Sequence, residues 1–474
     1  MSNFMLKFKF GLKSRLGMLT GTSRIEAQNT ALKQEYEEFL SYEESKEPQR
    51  FDELEEIVTS QDFRDRKKFI NNQRFKGSDA HEKFKEYNSM KRSPEFKGYF
   101  RFIGSNYFPD FKKFDNSPEI NKIDANREED KDEIATLRKS PGINAYYKLA
   151  KKKDLTHYRK IDGSPELEKF RELEEYVNSD EFKKTREYLE MKDKFSGTPE
   201  HQQEKEYLEL KKSKKLKWYH KAKASGKFDE VKKWKLEFED DFSGKSLDGK
   251  KWLTTYFWGK ELLKEGYSVA SDLHFYTEGK NHEVADKLLK LHTRREPVTG
   301  QAWDPALGFF PKDFEFTSGL VNTGASFRQK YGAFEAKVRM HRAPSVWHAF
   351  WMLSEQMVPH VDVFRFSGKK RNRIEFNNYW TSNGDKQNIR KSSETVGGID
   401  FAKGFFIFRL EWYPGMLVWK INNTVVKKIT QGIPQEPMYI LFSSGVDSED
   451  GNGLPTSMDI DWVRGYNLAE ETAE

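Results

Sequence analysis

Short helix-start signals recur through the first half of this chain and constrain its fold more than any other feature. A Ser or Thr followed by Pro stands at five places: Ser93-Pro94, Ser117-Pro118, Ser140-Pro141, Ser164-Pro165 and Thr198-Pro199. A Ser or Thr side chain at an N-cap accepts a hydrogen bond from a free backbone N–H, and Pro suits the next position because its φ is preset. Four of the five continue with Glu, which the helix dipole favours. The pattern predicts a series of short helices.

Two stretches of this half look like copies of one unit. Residues 51–58 and 170–177 share the pattern Phe-x-Glu-Leu-Glu-Glu-x-Val, and His81 matches His201 after one inserted residue. We interpret residues 45–100 and 164–220 as copies of three or four short helices, within an all-α array of short helices over residues 45–230. Such units stack by burying apolar faces against neighbours. An N-terminal arm, residues 1–44, precedes the array.

The second half changes to strand patterning. Apolar and polar residues alternate over residues 331–340, 405–412 and 416–421, and Asn422-Asn423 is a plausible hairpin turn. Many short strands separated by turn signals favour a β-sandwich, here over residues 231–468. The fold class is therefore multidomain α + β, with helices first and an antiparallel β-sandwich second.

Composition excludes several functions. The formal net charge is only +6, which gives no general case for nucleic-acid binding. The chain has no Cys, so disulfides and thiolate metal sites are excluded. No apolar run approaches membrane-spanning length, so we expect no transmembrane segment. Residues 1–10 alternate apolar and basic and lack the apolar core of a signal peptide. They suit a basic membrane-surface anchor or, as we favour, a strand or arm docked on another surface; a cytoplasmic location follows by default.

Five ordered motifs in the second half carry a family resemblance: residues 236–244, 331–336, 347–353, 408–415 and 458–466. From about Trp234 to Tyr466 the chain resembles the laminarinase-type members of glycoside hydrolase family 16. The resemblance implies a concanavalin-type jelly roll of two curved antiparallel sheets, with a glycan cleft on the concave face. It also makes an extracellular or cell-surface location an alternative, since proteins of this family usually act outside the cytoplasm.

The family's catalytic signature is altered in this sequence. The resemblance implies E-x-D-x-x-E, in which the first Glu is the nucleophile and the last is the acid/base, held about 5 Å apart in a retaining enzyme. The corresponding residues are His360, Asp362 and Arg365. Arg cannot pass a proton to a leaving group, because it does not deprotonate in proteins. We therefore predict a pseudoenzyme; the alternative is an active retaining endo-β-glycanase whose carboxylates are relocated among Asp362, Glu355 and Glu375.

Glycan binding can outlive catalysis, because sugar rings stack on aromatic planes. The predicted glycan-binding residues are Trp258, Trp347, Trp351, Trp380 and Arg365, with a core position as the alternative for Trp351. Arg365 and the nearby basic run 369–373 favour an anionic polysaccharide, because Arg binds such oxyanions in a bidentate way. The leading hypothesis is a polysaccharide-binding protein presented on a helical stalk. The alternative is a structural or assembly protein that uses the helices for a protein partner or self-assembly, with a vestigial cleft.

A metal site is implied by the resemblance alone. Many bacterial members of the family hold a structural calcium ion on the convex face, and Asp461 and Asp241 would contribute ligands here. Oxygen ligands suit calcium. No cofactor is required for the predicted binding function.

Overall fold

The computed structural model describes residues 2–381 and 388–469, without the side chain of Lys260. It confirms the fold class: helices fill the first half of the chain and a jelly-roll sandwich fills the second. The chain divides into two compact units. One holds residues 45–218, and the other joins the sandwich to the residues up to Glu44 and from Tyr219 onward.

The α-helices, in chain order, are α1 Asn3–Arg15, α2 Thr22–Glu44, α3 Glu47–Thr59, α4 Gln61–Asn72, α5 Asp79–Arg92, α6 Pro94–Ile103, α7 Phe108–Phe114, α8 Pro118–Ala125, α9 Lys131–Leu137, α10 Pro141–Ala150, α11 Asp154–Ile161, α12 Pro165–Asn178, α13 Asp180–Glu190, α14 Pro199–Lys212, α15 Lys214–Ser225 and α16 Asp229–Lys232. No helix among the described residues has both the length and the apolar character needed to cross a membrane.

The Ser/Thr-Pro signals begin α6, α8, α10, α12 and α14. The hydroxyls of Ser93, Ser117, Ser164 and Thr198 accept the backbone N–H three residues on, as the pattern predicts. Ser140 makes no side-chain cap bond, although Pro141 still opens α10.

The two sequence copies pack against each other reciprocally. Helix α3 of the first copy packs on α14 of the second, and α12 of the second packs on α5 of the first. Phe51 stacks on Tyr207 with ring centroids 5.4 Å apart, and the equivalent Phe170 lies 5.3 Å from Tyr87. Each copy therefore completes the core of the other.

The reciprocal packing includes a repeated polar triad beside each of these two ring pairs. The Tyr207 hydroxyl donates to Glu55 at 3.0 Å and accepts from Lys211 at 2.7 Å. The equivalent triad has the same two distances and is formed by Tyr87, Glu174 and Lys91. These contacts satisfy each buried hydroxyl, as the interior of a helical array requires.

The strands, in chain order, are β1 Trp234–Asp240, β2 Tyr267–Val269, β3 His274–Tyr276, β4 His282–Ala285, β5 Leu288–Asp304, β6 Gly308–Ser318, β7 Leu320–Asn322, β8 Arg328–Gln329, β9 Gly332–Met340, β10 Val346–Ser354, β11 His360–Ser367, β12 Arg373–Thr381, β13 Ile389–Gly397, β14 Phe405–Tyr413, β15 Met416–Ile421, β16 Thr424–Ile429, β17 Met438–Val446 and β18 Thr456–Leu468.

Two sheets form the sandwich. The first runs β16-β15-β14-β9-β18-β5-β6-β3, with β1 on β18 and with β2 and β4 on β5. The second runs β13-β12-β11-β10-β17-β7, with β8 on β17. Pairing is antiparallel except for β2 with β5 and β3 with β6. The main core lies between the sheets and contains Phe334, Phe350, Phe364 and Trp419, all fully buried.

The described part of the expected N-terminal arm, residues 2–44, contains helices α1 and α2. Helix α1 packs on β16 and β13. Helix α2 packs on the first sheet, where Ile25 is buried with Ile407 and Trp462. Glu26 accepts a hydrogen bond from the Trp462 indole at 2.8 Å.

Candidate functional site

The cleft face of the second sheet is lined by alternate residues of its central strands. On β10, Trp347, Ala349 and Trp351 face an aromatic cluster outside the sandwich core. Phe350 and Met352, between them, face the core. Side chains of a strand alternate between faces, so this assignment fixes the cleft-facing set on the neighbouring strands.

A β-bulge brings the three signature positions onto this face. Phe350 pairs with Phe364 and Trp351 pairs with Asp362, so Val363 is an extra residue in β11. Without the bulge, Asp362 and Arg365, which are three positions apart, would face opposite sides of the sheet. With it, His360, Asp362 and Arg365 lie opposite Leu353, Trp351 and Ala349 respectively, and all three belong to the cleft face.

His360 and Asp362 form a buried pair. His360 Nε2 lies 2.8 Å from Asp362 Oδ1, and Asn377 donates to Asp362 Oδ2 at 2.7 Å. The His360 ring lies between the rings of Trp351 and Tyr379, with centroids 4.7 and 4.9 Å away. Burial acts to raise the pKa of Asp362, but His360, Arg365 and the Asn377 hydrogen bond outweigh it, so the pKa lies below its usual range. Asp362 is therefore held ionised and is engaged on both oxygens.

Arg365, which the sequence predicts at the acid/base position, lies over a ring of Trp347. Its guanidinium carbon lies 4.1 Å from the centroid of a Trp347 ring. Glu375 is directly opposite Arg365 in the register of β11 and β12. Within the described part of the chain, however, Arg365 forms no ion pair or hydrogen bond with Glu375 or any other side chain. The half-buried cation is therefore orientated by Trp347 while its N–H donors remain available.

Asp272 and His274 lie close enough to Arg365 to interact with its charge, and no sequence motif marks either residue as part of a site. Asp272 accepts a hydrogen bond from Val269 N at 3.2 Å, and burial raises its pKa to about 6 against the opposing charges of Lys312 and Arg365. His274 Nδ1 accepts the Val446 N–H at 3.2 Å, and burial lowers the pKa of His274 to about 3. His274 is thus neutral with its proton on Nε2, and its ring centroid is 6.0 Å from that of Trp347.

Of the four tryptophans predicted to bind glycan, three lie in or beside the cleft and Trp380 does not. Trp347 lies in the cleft beside Arg365, and Trp351 is almost buried there, with its indole N–H 3.0 Å from Ser443 Oγ. Trp258 packs on the edge of the same cluster and donates to the backbone of Glu355 at 3.2 Å. Trp380 lies on the opposite face of β12 from Tyr379, next to Gly432, because the strand alternates. Tyr379 takes the cleft position instead.

The remaining predicted carboxylates are separate from the His360–Asp362 pair. Glu355 forms an ion pair with Arg328 at 3.2 Å. Glu375 faces the cleft, since it lies two residues from Asn377, which binds Asp362. A retaining glycosidase needs one ionised carboxylate and one protonated acid about 5 Å apart. Asp362, with its two oxygens already bonded, does not fit the role of free nucleophile.

Asp461 and Asp241 were predicted as calcium ligands. Asp461 Oδ2 lies 2.8 Å from Lys337 Nζ, which also binds Glu26 at 2.9 Å. Asp241 accepts hydrogen bonds from the backbone and hydroxyl of Ser243. Among the described residues, no group of three or more metal-binding side chains occurs. The Lys337 ammonium lies between Asp461 and Glu26, so these carboxylates as arranged do not fit a calcium ion. The calcium site stays a prediction from the resemblance.

The second half of the chain is a jelly-roll sandwich with aromatic side chains and a bulged central strand on one face. Residues 270–464 match the model of Glycosyl hydrolases family 16, which confirms the resemblance of this part of the chain to that family.

Relatives share this half of the chain. The endo-1,3-1,4-beta-glycanase ExsH of Rhizobium meliloti is 28% identical over 163 residues, covering 33% of this chain and 34% of that protein. The chain thus spans only about a third of the length of that relative. A glucan endo-1,3-beta-glucosidase of Cryptopygus antarcticus is 26% identical, over 46% of this chain and 75% of its own. The solved endo-beta-1,3-glucanase of Pyrococcus furiosus is 23% identical, covers 50% of this chain and 95% of its own, and gives a TM-score of 0.40.

Proposed function

We propose that the family 16 domain of this chain binds an anionic polysaccharide in its cleft and does not hydrolyse it. The observation that carries the proposal is Arg365, an unpaired cation stacked on Trp347 at the acid/base position. A guanidinium held in this way presents a planar set of donors to a carboxylate, sulfate or phosphate group. It cannot protonate a leaving group.

We infer the type of sugar chain in the ligand from the cleft and from the names of the relatives. The relatives are named as an endo-1,3-1,4-beta-glycanase and a glucan endo-1,3-beta-glucosidase. Trp347 and Tyr379 offer aromatic faces on either side of the signature positions, and such faces bind sugar rings. We therefore propose a β-linked glycan whose anionic substituent lies against Arg365.

Binding and turnover are tested separately. Isothermal titration calorimetry with neutral laminarin oligosaccharides and with uronate-containing or sulfated oligosaccharides should show tighter binding of the anionic set. Equal affinity for the neutral and anionic sets would contradict the proposed ligand class. Release of reducing ends from the same glycans should stay at the level of a protein-free control.

A second candidate is an active glycanase with relocated carboxylates. The raised pKa of Asp272 favours it, because a general acid must hold its proton near neutral pH. Glu375, facing the cleft, would be the second carboxylate. If reducing ends are released, Asp272→Asn and Glu375→Gln must each abolish the release for this candidate to hold. Turnover that survives both substitutions would remove this pair from consideration.

The assembly candidate rests on the reciprocal packing of the helical copies. A repeated unit that completes the core of another copy can also do so between molecules. Trp347→Ala discriminates the two functions. It should remove glycan binding and leave the oligomeric state unchanged if the cleft is the functional surface.

A further inference from the structure

Helix α1 has two opposite apolar faces, and only one of them is covered. Leu6 and Phe10 are buried, and Phe10 belongs to the sandwich core. The other face exposes large side chains at a spacing of four residues: Phe4 is 73% exposed, Phe8 65%, Leu12 48% and Leu16 61%. Residues four apart lie one above another on a helix, so Phe4, Phe8 and Leu12 form a continuous stripe, which the C-cap residue Leu16 extends.

The stripe is held in place by contacts on the docked side. Asn3 exchanges two hydrogen bonds with the backbone of Lys428, at 3.0 and 2.9 Å. Lys7 forms an ion pair with Glu394 at 2.5 Å. Because α1 is already folded and fixed to the sandwich, binding through the stripe would not cost the entropy of forming a helix.

Basic residues flank the stripe. Lys9, Lys13 and Arg15 lie on α1, and within the described chain they form no ion pair with an acidic side chain. Helices that lie in the headgroup region of a bilayer have this composition, with exposed Phe and Leu side chains bordered by Lys and Arg. A protein partner would equally cover the apolar side chains, but the basic border favours an anionic surface.

We propose that α1 docks the sandwich unit on an anionic lipid bilayer, with Phe4, Phe8, Leu12 and Leu16 inserted among the headgroups. The helix is too short to span the membrane and binds along its surface. This surface is separate from the cleft and does not depend on the proposed glycan function. Its consequence is that the cleft is held near a membrane while it binds its ligand.

Vesicle flotation tests the proposal with the full chain. Vesicles of equal parts phosphatidylcholine and phosphatidylglycerol should bind the protein, and vesicles of phosphatidylcholine alone should bind it at least about fivefold more weakly, the effect of one basic residue at an anionic surface. The double variant Phe4→Ser/Phe8→Ser should lower binding to the mixed vesicles by about tenfold or more, because two exposed aromatic anchors are lost.

One control variant and two measurements separate loss of the stripe from a general effect of substitution or misfolding. Leu307→Ser changes a side chain that is 75% exposed in the turn between β5 and β6, and it should leave vesicle binding unchanged. Circular dichroism and oligosaccharide titration of the Phe4/Phe8 variant should match wild type, since neither side chain contributes to the core. Absence of vesicle binding, or binding that the variant does not weaken, overturns the proposal. Self-association that the variant abolishes would assign the stripe to a second copy of the chain and would also overturn it.

Discussion

Arg365 is stacked on Trp347, with 4.1 Å between the guanidinium carbon and the ring centroid. The stack fixes the plane of the cation without using its hydrogen-bond donors, which leaves them for an oxyanion. On the proposed function, Arg365 stands where the family resemblance places a proton donor and binds the ligand instead.

The first prediction concerns this cation. Arg365→Met should weaken binding of an anionic oligosaccharide by roughly tenfold or more, because a hydrogen bond to a charged group contributes about 1.5–3 kcal/mol. Binding of the neutral parent oligosaccharide should change by less than about threefold. Calorimetry with both ligands measures the two affinities. Arg74→Met, on the exposed surface of the helical unit, is the matched control and should alter neither. Equal losses for both ligands would mean that Arg365 only supports the fold of the cleft.

The second prediction is a pH dependence from Asp272. Its folded pKa of about 6 lies above the ordinary value, so the carboxyl is ionised at pH 7.5 and mostly protonated at pH 5. Protonation removes a negative charge that attracts Arg365 and repels an anionic ligand. A sulfated oligosaccharide should therefore bind more tightly at pH 5 than at pH 7.5, by on the order of fourfold for one unit charge acting in a partly solvated site.

Asp272→Asn separates this effect from other titrations. The variant should bind the sulfated oligosaccharide with the higher affinity at both pH values, because its side chain is always neutral. A sulfated ligand stays ionised over this range, so its own charge does not contribute. Retention of the full pH dependence in the variant would contradict the assignment to Asp272.

The sequence already shows that His360, Asp362 and Arg365 lie close together, because they fall within six positions of one strand. The bulge at Val363, which turns all three to the same face, is seen in the strand pairing. Asp272 precedes β3 and His274 begins it, almost ninety residues earlier in the chain, and no local motif marks them. His274 comes beside Trp347 because it binds Val446 N on β17, the strand that pairs with β10, and such long-range contacts are not visible in one sequence.

The spacing of apolar residues does not predict the structure of the N-terminal residues or the face on which Trp380 lies. The sequence of residues 1–10 alternates apolar and basic as a strand would. Residues 3–10 nevertheless lie in helix α1, because Leu6 with Phe10 and Phe4 with Phe8 also fit two helical stripes. Trp380 was predicted in the cleft from its neighbourhood, but a shift of one position along a strand reverses the face. The repeat of the helical region was visible in sequence, whereas its reciprocal packing depends on contacts between the copies.

The third prediction concerns the buried pair. His360→Ala removes one hydrogen-bond partner from an ionised, buried Asp362 and leaves only Asn377. The free energy of unfolding should fall by about 2 kcal/mol or more, the cost of leaving a buried charged group incompletely bonded. Urea denaturation at neutral pH measures it. His292→Ala removes a more exposed pair with Glu283, also at 2.8 Å, and should cost at most about 1 kcal/mol. Equal costs would mean that burial of Asp362 does not matter.

The fourth prediction concerns calcium. Lys337 occupies the space between Asp461 and Glu26, so added calcium should shift the Tm of the wild-type chain by less than about 1 °C. Lys337→Met removes the ammonium and leaves two carboxylates, which should lower the Tm and make it respond to calcium. Calcium at about a hundred times its Kd would add about 2.7 kcal/mol and should raise the variant's Tm by about 5 °C or more. A saturable rise in the wild-type Tm would instead establish the calcium site that the family resemblance implies.

The fifth prediction tests the equivalence of the helical copies. Tyr87→Phe and Tyr207→Phe remove the hydroxyls that bridge Glu174 and Glu55 to their lysines, and they keep the stacked rings. Each should lower the free energy of unfolding of the helical unit by about 1 kcal/mol, the usual net value of a hydrogen bond. The double variant should show the sum, because sites that share no partner act independently. Tyr188→Phe, at an exposed position, should change stability by less than about 0.5 kcal/mol. Urea denaturation with a probe in the helical unit measures all four. A loss confined to one of the two bridging tyrosines would mean that the copies have diverged in energy although they keep the same contacts.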